Sequence, residues 1–295
     1  MLKRHRSAMR ALITLFLGIT LAACAGPRPS LLLTDAVIRD AVVWQGEVQI
    51  RGVVTVKKEG SLTILPGTRV VFVPLDEDGD GIGDGELLVE GALIARGTAA
   101  APILFTSGAA TPRPADWKFL YLDFAREVAI EYVVSEYAYS GIQVHFCKGR
   151  IAASEFRYNV DGVRFSTVNL EVVGNRIHHN IHGVRYEERR GTAYLHGNAI
   201  HDNDIGIFVV TRAENKTRIE GNNISGNRQY NVKLGLDQSA DVSFPRNWWG
   251  SADSAAIAAS FFDGAADPSL GRVEAPEPLT QPVVLAAVKA LQGER

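Results

Sequence analysis

The sequence predicts an all-β solenoid, a single-stranded parallel β-helix of coils of about 20–24 residues with capped ends. Three observations carry that expectation. A motif recurs at a fixed period, the strands that follow it align into apolar columns, and no helical periodicity intervenes. The motif reads G-N-x-I-x-x-N in the segments beginning at Gly174, Gly197 and Gly221, and its closing asparagines Asn180, Asn203 and Asn227 lie 23 and 24 residues apart. Asn159 stands 21 residues before Asn180. Self-similarity at this period is the signature of stacked repeats, which bury a continuous core only against their neighbours.

Three residues beyond Asn159, Asn180 and Asn203 come Gly162, Gly183 and Gly206, with Gly141 in an earlier copy, and each opens a short alternating strand. One residue on stand Ile142, Val163, Val184, Ile207 and Val232; two further stand Val144, Phe165, Tyr186, Val209 and Leu234. Alternation along a strand puts both columns on one face, with Gln143, Arg164, Arg185, Phe208 and Lys233 on the other. Val172, Leu195, Ile219 and Phe244 suggest a second strand per repeat, and Ile177, Ile200 and Ile224 a third. The asparagines have a physical role in this scheme. Asn tolerates the left-handed conformation at a corner, and its amide can bond to the equivalent amide one coil along.

The amino-terminal third has the same character in other words: Ser61 to Phe72 reads strand, turn, strand, Glu86 to Thr98 is another pair, and Pro102 to Ser107 a third. Asn247-Trp248-Trp249-Gly250-Ser251 closes the repeats. The patterns L-T-I-x-P-G-T-x-V-x-F, G-x-L-x-A-x-G-T-x-x-x-P-I-x-F-T-S and N-W-W-G-S resemble bacterial right-handed β-helix repeat proteins. That superfamily includes copper-binding accessory proteins of nitrous oxide reductase, pectate lyases and alginate epimerases. The resemblance covers about residues 42–274 and implies a right-handed coil; activity must be argued from a site, because one scaffold hosts many functions.

Outside the repeats, residues 1–24 read as an export leader. Lys3, Arg4, Arg6 and Arg10 precede the apolar run Ala11 to Leu21, which is too short for a stable membrane span. Leu21-Ala22-Ala23-Cys24 resembles the lipobox of bacterial lipoproteins, which implies acylation at Cys24 and a membrane partner through the lipid. Ala25 and Gly26 follow, which by the same resemblance favours the outer membrane of the cell envelope. The expected organisation is thus 1–24 leader, 25–34 linker, 35–272 β-helix and 273–295 a proline-containing tail with a short helix at 283–291. Leu31 to Trp44 is expected to cap one end, and Trp248 to Phe262 the other. With Cys24 acylated, Cys147 is alone and no internal disulfide forms. Net charge is −2, so nothing points to a nucleic-acid partner.

The most specific chemical motif is Asp76-Glu77-Asp78-Gly79-Asp80-Gly81-Ile82-Gly83-Asp84-Gly85-Glu86. Asp at places 1, 3, 5 and 9, glycine at 6 and a carbonyl at 7 match the start of a calcium loop. The expected ligands are Asp76, Asp78, Asp80, Ile82, Asp84 and Glu86, with Leu87 at place 12 departing from the EF-hand pattern. His178 and His201 hold equivalent places in consecutive repeats, a candidate site for copper or another transition metal, although the column Arg157, His178, His201, Ser225 also reads as an exposed polar row. Arg164, Arg185 and Lys233 offer a basic stripe for an anionic polymer. Neither paired carboxylates at glycosidase separation nor a G-H-G, N-T-D or D-P-H-E motif is found. The sequence therefore favours a non-catalytic envelope scaffold, calcium-stabilised, binding a polysaccharide or an envelope protein. An enzyme on polysaccharide (lyase, hydrolase or epimerase) and a metal-binding accessory protein are the alternatives.

Overall fold

A computed structural model describes residues 30–285. Cys24, the remaining leader and residues 286–295, which include most of the expected carboxy-terminal helix, lie outside the described residues. Val283 to Leu285 are described and carry no helix.

The chain folds as a three-sided solenoid. Sheet A has nine strands, from Leu31–Thr34 to Asn223–Ile224; sheet B has ten, from Val37–Ile38 to Phe261–Phe262; sheet C has eight, from Ala41–Trp44 to Arg218–Ile219. From Leu31 to Ile224 the chain visits A, B and C in fixed rotation, so each strand pairs in parallel with the strand three further along. The predicted columns are real. Ile142, Val163, Val184, Ile207 and Val232 are register partners on sheet B, as are Val144, Phe165, Tyr186, Val209 and Leu234. All ten are buried. Ile177, Ile200 and Ile224 align on sheet A, and Val172, Leu195 and Ile219 on sheet C. Phe244 departs from its expected column: it lies beyond Val242–Ser243, which leaves sheet C and pairs with Val273–Glu274. Its ring packs edge-on against Trp249, 6.5 Å between centroids.

Asparagine builds the corners and stacks amide on amide as expected, but it is not the left-handed residue. The left-handed residue is the one before it. Tyr158, His179, Asp202 and Gly226 have positive φ at the A–B corner, and Gly174, Gly197, Gly221 and Arg246 at the C–A corner. The asparagine that follows turns inward and stacks. Asn159, Asn180, Asn203 and Asn227 form one amide ladder, Nδ2 to Oδ1 at 2.9–3.1 Å. Asn175, Asn198, Asn222 and Asn247 form another at 2.9–3.0 Å. Beyond the first residue of each ladder, every Oδ1 also accepts the backbone N–H of the asparagine one coil earlier, while Asn159 and Asn175 accept those of Ala138 and Ser154. Buried amides are tolerated here because both ends are bonded.

The first coil begins at Leu31, ahead of residue 35, and fills the span expected as a cap with ordinary strands. Trp44 is buried in it. At the far end, helix Ser254–Ala259, capped by Asp253, inserts Ile257 over the core beside Trp249 and Phe261. Beyond Val273–Glu274 the tail doubles back along the solenoid. Leu279 N–H bonds to Asn247 O at 3.0 Å, and Val283 exchanges bonds with the Asn223 side chain at 2.7 and 2.9 Å. Among the described residues, no helix is long and apolar enough to cross a membrane.

Candidate functional site

Sheet B carries the densest chemistry on its outer face. Arg164 and Arg185 are register partners on adjacent strands, each about a quarter exposed. Between them sits Asp161, whose side chain is fully buried. Arg185 donates to its Oδ2 at 3.3 Å, Arg164 approaches the same oxygen at 3.8 Å, and His182 Nδ1 lies 2.7 Å from Oδ1. Asp161 thus turns outward although it shares parity with the core residues Val163 and Phe165. Alternation breaks at Gly162, where a side chain would collide with Gly183 O at 2.6 Å. Two guanidinium groups face one carboxylate, with Glu187 lining the same hollow, and Arg185 Nε is buried with no partner. Burial, and then the Arg185 charge, pushes the Arg164 pKa down.

Around this cluster lie polar and aromatic groups. Tyr121 Oη meets His145 Nδ1 at 3.1 Å. Burial and the Arg164 charge lower the His145 pKa; burial and the Asp123 charge raise that of Tyr121. Phe119 packs edge-on against both Tyr121 and Tyr139. The His182 ring stacks on Phe208 at 4.9 Å, and Arg185 lies over that ring at 5.7 Å. Lys233 does not join the arginines. Phe208 separates it from Arg185 in the column, and its Nζ sits over Phe262 at 5.3 Å. The expected stripe is therefore an arginine pair with a distant lysine.

On sheet A the expected exposed column is instead a partly buried ion network, closed over His178 and open at Arg157 and His201. His178 is only 6% exposed. Its Nε2 lies 3.0 Å from Glu155 Oε1 and its Nδ1 2.7 Å from His179 Nδ1, so both ring nitrogens are engaged. The ring stacks on His201 at 5.2 Å, and His201 Nδ1 bonds to Asp202 at 2.7 Å. Arg157 bridges Glu136 at 2.7 Å and Glu155 at 2.8 Å, and Thr106 donates to Glu136 at 2.8 Å. Burial pushes the Glu155 pKa up, but the His178 hydrogen bond and the Arg157 and Arg176 charges overcome it and hold the group at about 2. Burial lowers the His178 pKa. A metal at His178 and His201 would have to displace Glu155 or His179 from the first ring.

The acidic loop joins sheet A strand Arg69–Phe72 to sheet B strand Glu86–Val89. One carboxylate oxygen each of Asp76, Asp78 and Asp80 lies within 4.8 Å of the others. The carboxylates also accept backbone N–H groups: Asp76 from Gly79 and Gly81, Asp78 from Asp80, Asp80 from Ile82. Three close carboxylates on a glycine-bent loop suit a hard cation with water completing its shell. Asp84 instead accepts the Glu77 N–H at 2.8 Å, and Glu86 belongs to the sheet B strand, where burial raises its pKa against the Lys118 charge. Gly83 fastens the loop to its neighbour: its N–H bonds to Ala115 O at 2.8 Å, and a Cβ would lie 1.9 Å from Asp116 O.

Cys147 is a core thiol. Burial pushes its pKa up to about 11, and Sγ accepts the Ala125 N–H at 3.2 Å.

Comparison with known families matches residues 117–248 to the right-handed β-helix region. The chain carries a right-handed parallel β-helix. The match begins at Trp117 on sheet B and ends at Trp248, so it takes in Arg164, Arg185 and both asparagine ladders. No significant match is found among curated proteins or among solved structures. The β-helix suits a scaffold or a polysaccharide-related role. Sequence reasoning missed Asp161, Glu136 and Glu155. The signal for Asp161 was available in the residue before Gly162, outside the columns that were aligned after each glycine.

Proposed function

We propose that this protein is a non-catalytic, lipid-anchored scaffold of the cell envelope whose sheet B face binds an anionic polysaccharide. The observation that carries the reading is the Arg164–Arg185 pair: two half-buried guanidinium groups one strand apart, sharing one carboxylate, with an Nε left unpartnered. Such a pair suits a planar carboxylate, which accepts two parallel hydrogen bonds from arginine. Tyr121, Tyr139 and Phe208 offer apolar faces beside it for sugar rings. A calcium ion on Asp76, Asp78 and Asp80 would pin the 73–85 loop against its neighbour at Ala115, a structural use of the metal. Acylation at Cys24 would fix the rod to the membrane, the outer one being favoured.

The test is binding of the chain, carrying Cys24→Ser, to an array of acidic and neutral glycans. Arg164→Ala/Arg185→Ala is expected to lose the acidic ligands while Lys233→Ala retains them. Equal binding by the wild type and the arginine variant would end this reading.

One observation favours a second reading, cleavage of such a polymer. His182 is oriented by the buried Asp161 through Nδ1, the arrangement of a general base. Release of unsaturated sugar products by the wild type, abolished in His182→Ala, would replace the non-catalytic reading.

A further inference from the structure

The corner between sheets B and C differs from the other two. It lacks an asparagine ladder, and its left-handed residues are Phe124, Phe146, Thr167 and Arg212 on successive or nearby coils. A bulky residue with positive φ that is also exposed gains nothing from the core. Phe124 is 58% exposed and Phe146 48%, yet their rings stack on each other at 4.4 Å and 9°. The pair stands as an apolar ridge on the outside of the rod.

Basic residues flank it along the same corner. Lys148 follows Phe146, Arg189 and Arg190 form the outward excursion of a later coil, and Arg212 and Lys216 occupy the next. All five are exposed. Among the described residues, no carboxylate lies within ion-pair distance of Lys148, Arg190 or Arg212, whereas Arg189 pairs with Glu187 and Lys216 with Glu214. Of the acids along this corner, Glu188 is withdrawn, 3% exposed and accepting the backbone N–H groups of Glu214, Lys216 and Thr217; Glu214 is held by Lys216, and exposed Asp237 lines the same hollow as Arg189, Arg190 and Arg212. Two hollows of about 680 and 860 Å³ flank the Arg189–Arg190 excursion, and both are lined by Phe146, Thr167 and these arginines. On a chain of net charge −2, one corner concentrates unpaired cations next to exposed aromatic rings.

We infer that this corner docks on an anionic phospholipid surface. Phe124 and Phe146 enter the headgroup layer, and Lys148, Arg190 and Arg212 sit among the phosphates. Aromatic rings favour the bilayer interface, and cations near an anionic leaflet are drawn to it over a Debye length. The Arg164–Arg185 face is separate, so this docking stands or falls apart from glycan binding.

The test uses the chain from residue 24 onward with Cys24→Ser, which retains every described residue and removes both the apolar leader and the acylation site. Binding to phosphatidylglycerol-containing vesicles is compared with binding to pure phosphatidylcholine vesicles by co-sedimentation. The expected result is selective, salt-sensitive binding to the anionic vesicles. Lys148→Gln/Arg190→Gln/Arg212→Gln should weaken it on the order of a hundredfold, about fivefold per cation. Phe146→Trp should show a blue-shifted emission on the same vesicles, a readout of insertion that loss of fold would not produce. Arg164→Ala/Arg185→Ala should bind vesicles as the wild type does. Equal partition of the wild type and the triple variant overturns the inference. So does a triple variant that loses a soluble acidic glycan and keeps its vesicle binding, which would make the corner a glycan site.

Discussion

Asn180→Ala should cost this fold more than its size suggests. The side chain is 1% exposed and meets five hydrogen-bond partners, one of its two Nδ2 hydrogens being shared between two oxygens. Nδ2 donates to Phe156 O, His178 O and Asn203 Oδ1; Oδ1 accepts from the backbone N–H and from Nδ2 of Asn159. Truncation leaves the Asn159 N–H buried without an acceptor and strips two carbonyls of a donor. At about 1–3 kcal/mol for each group left unsatisfied, offset by relaxation, the loss is roughly 3–5 kcal/mol. That matches the roughly 2–5 kcal/mol expected for truncating a buried leucine such as Leu195. It corresponds to a fall in Tm on the order of 10 °C for a domain of this size. Asn180→Asp should cost at least as much, because it keeps both acceptors but sets a carboxylate against the oxygens of Phe156, His178 and Asn203. Asn227→Ala, at the half-buried end of the ladder, should cost less. Urea unfolding followed by circular dichroism measures all four. A loss below about 1 kcal/mol for Asn180→Ala, beside a normal loss for Leu195→Ala, would refute the claim that the amide ladder holds the corners.

The remaining predictions concern ions and protons. Chelation of calcium should lower the Tm of the wild type and leave Asp78→Ala/Asp80→Ala unchanged; an identical melting curve with and without chelator would remove calcium from the account. Copper titration should distinguish the wild type from His178→Ala/His201→Ala only if the metal reading holds, and equal affinity eliminates that site. Stability should fall on acidification in two stages. As the pH falls below about 6.5 the unfolded chain takes up protons that buried His145 and His178 refuse, since burial lowers their folded pKa. Below about pH 4 the contribution of Glu155, held at about 2 in the fold, is lost as that carboxylate protonates. Calorimetry across this range should show Glu155→Gln flattening the lower stage, and a Tm that rises towards pH 5 would contradict the upper one.

The solenoid was legible because its evidence is repeated. A single run such as Gly183-Val184-Arg185-Tyr186 is ambiguous, but the same alternation after Gly162 and Gly206, in step, leaves few other packings. The corners were half legible. G-N-x-I-x-x-N announces an asparagine turn, but which residue carries the positive φ depends on which side chain the next coil accepts, and the sequence pattern does not hold that. The site was harder to read. His178 looks like a surface residue in its column, and only Glu155, Arg157 and His179, spread over two coils, make it buried. Asp161 sits where Gly162 interrupts alternation, so its parity points inward while its charge faces Arg164 and Arg185. Lys233 fits the column and misses the cluster, because a column fixes order along the rod and says nothing about which neighbours meet.

The central claim is that the coils stack at a constant step, and distances between spin labels test it directly. Thr55 and Lys233 face outward in one sheet B column, seven strand steps apart, with Arg185 five steps from Thr55. With Cys24 replaced by serine and Cys147 buried, labels at 55/185 and 55/233 should give backbone separations of about 24 and 34 Å, rising by roughly 4.8 Å per coil. Two similar distances, or a 55/233 separation shorter than 55/185, would mean that the chain folds back on itself and that the columns are not a stack.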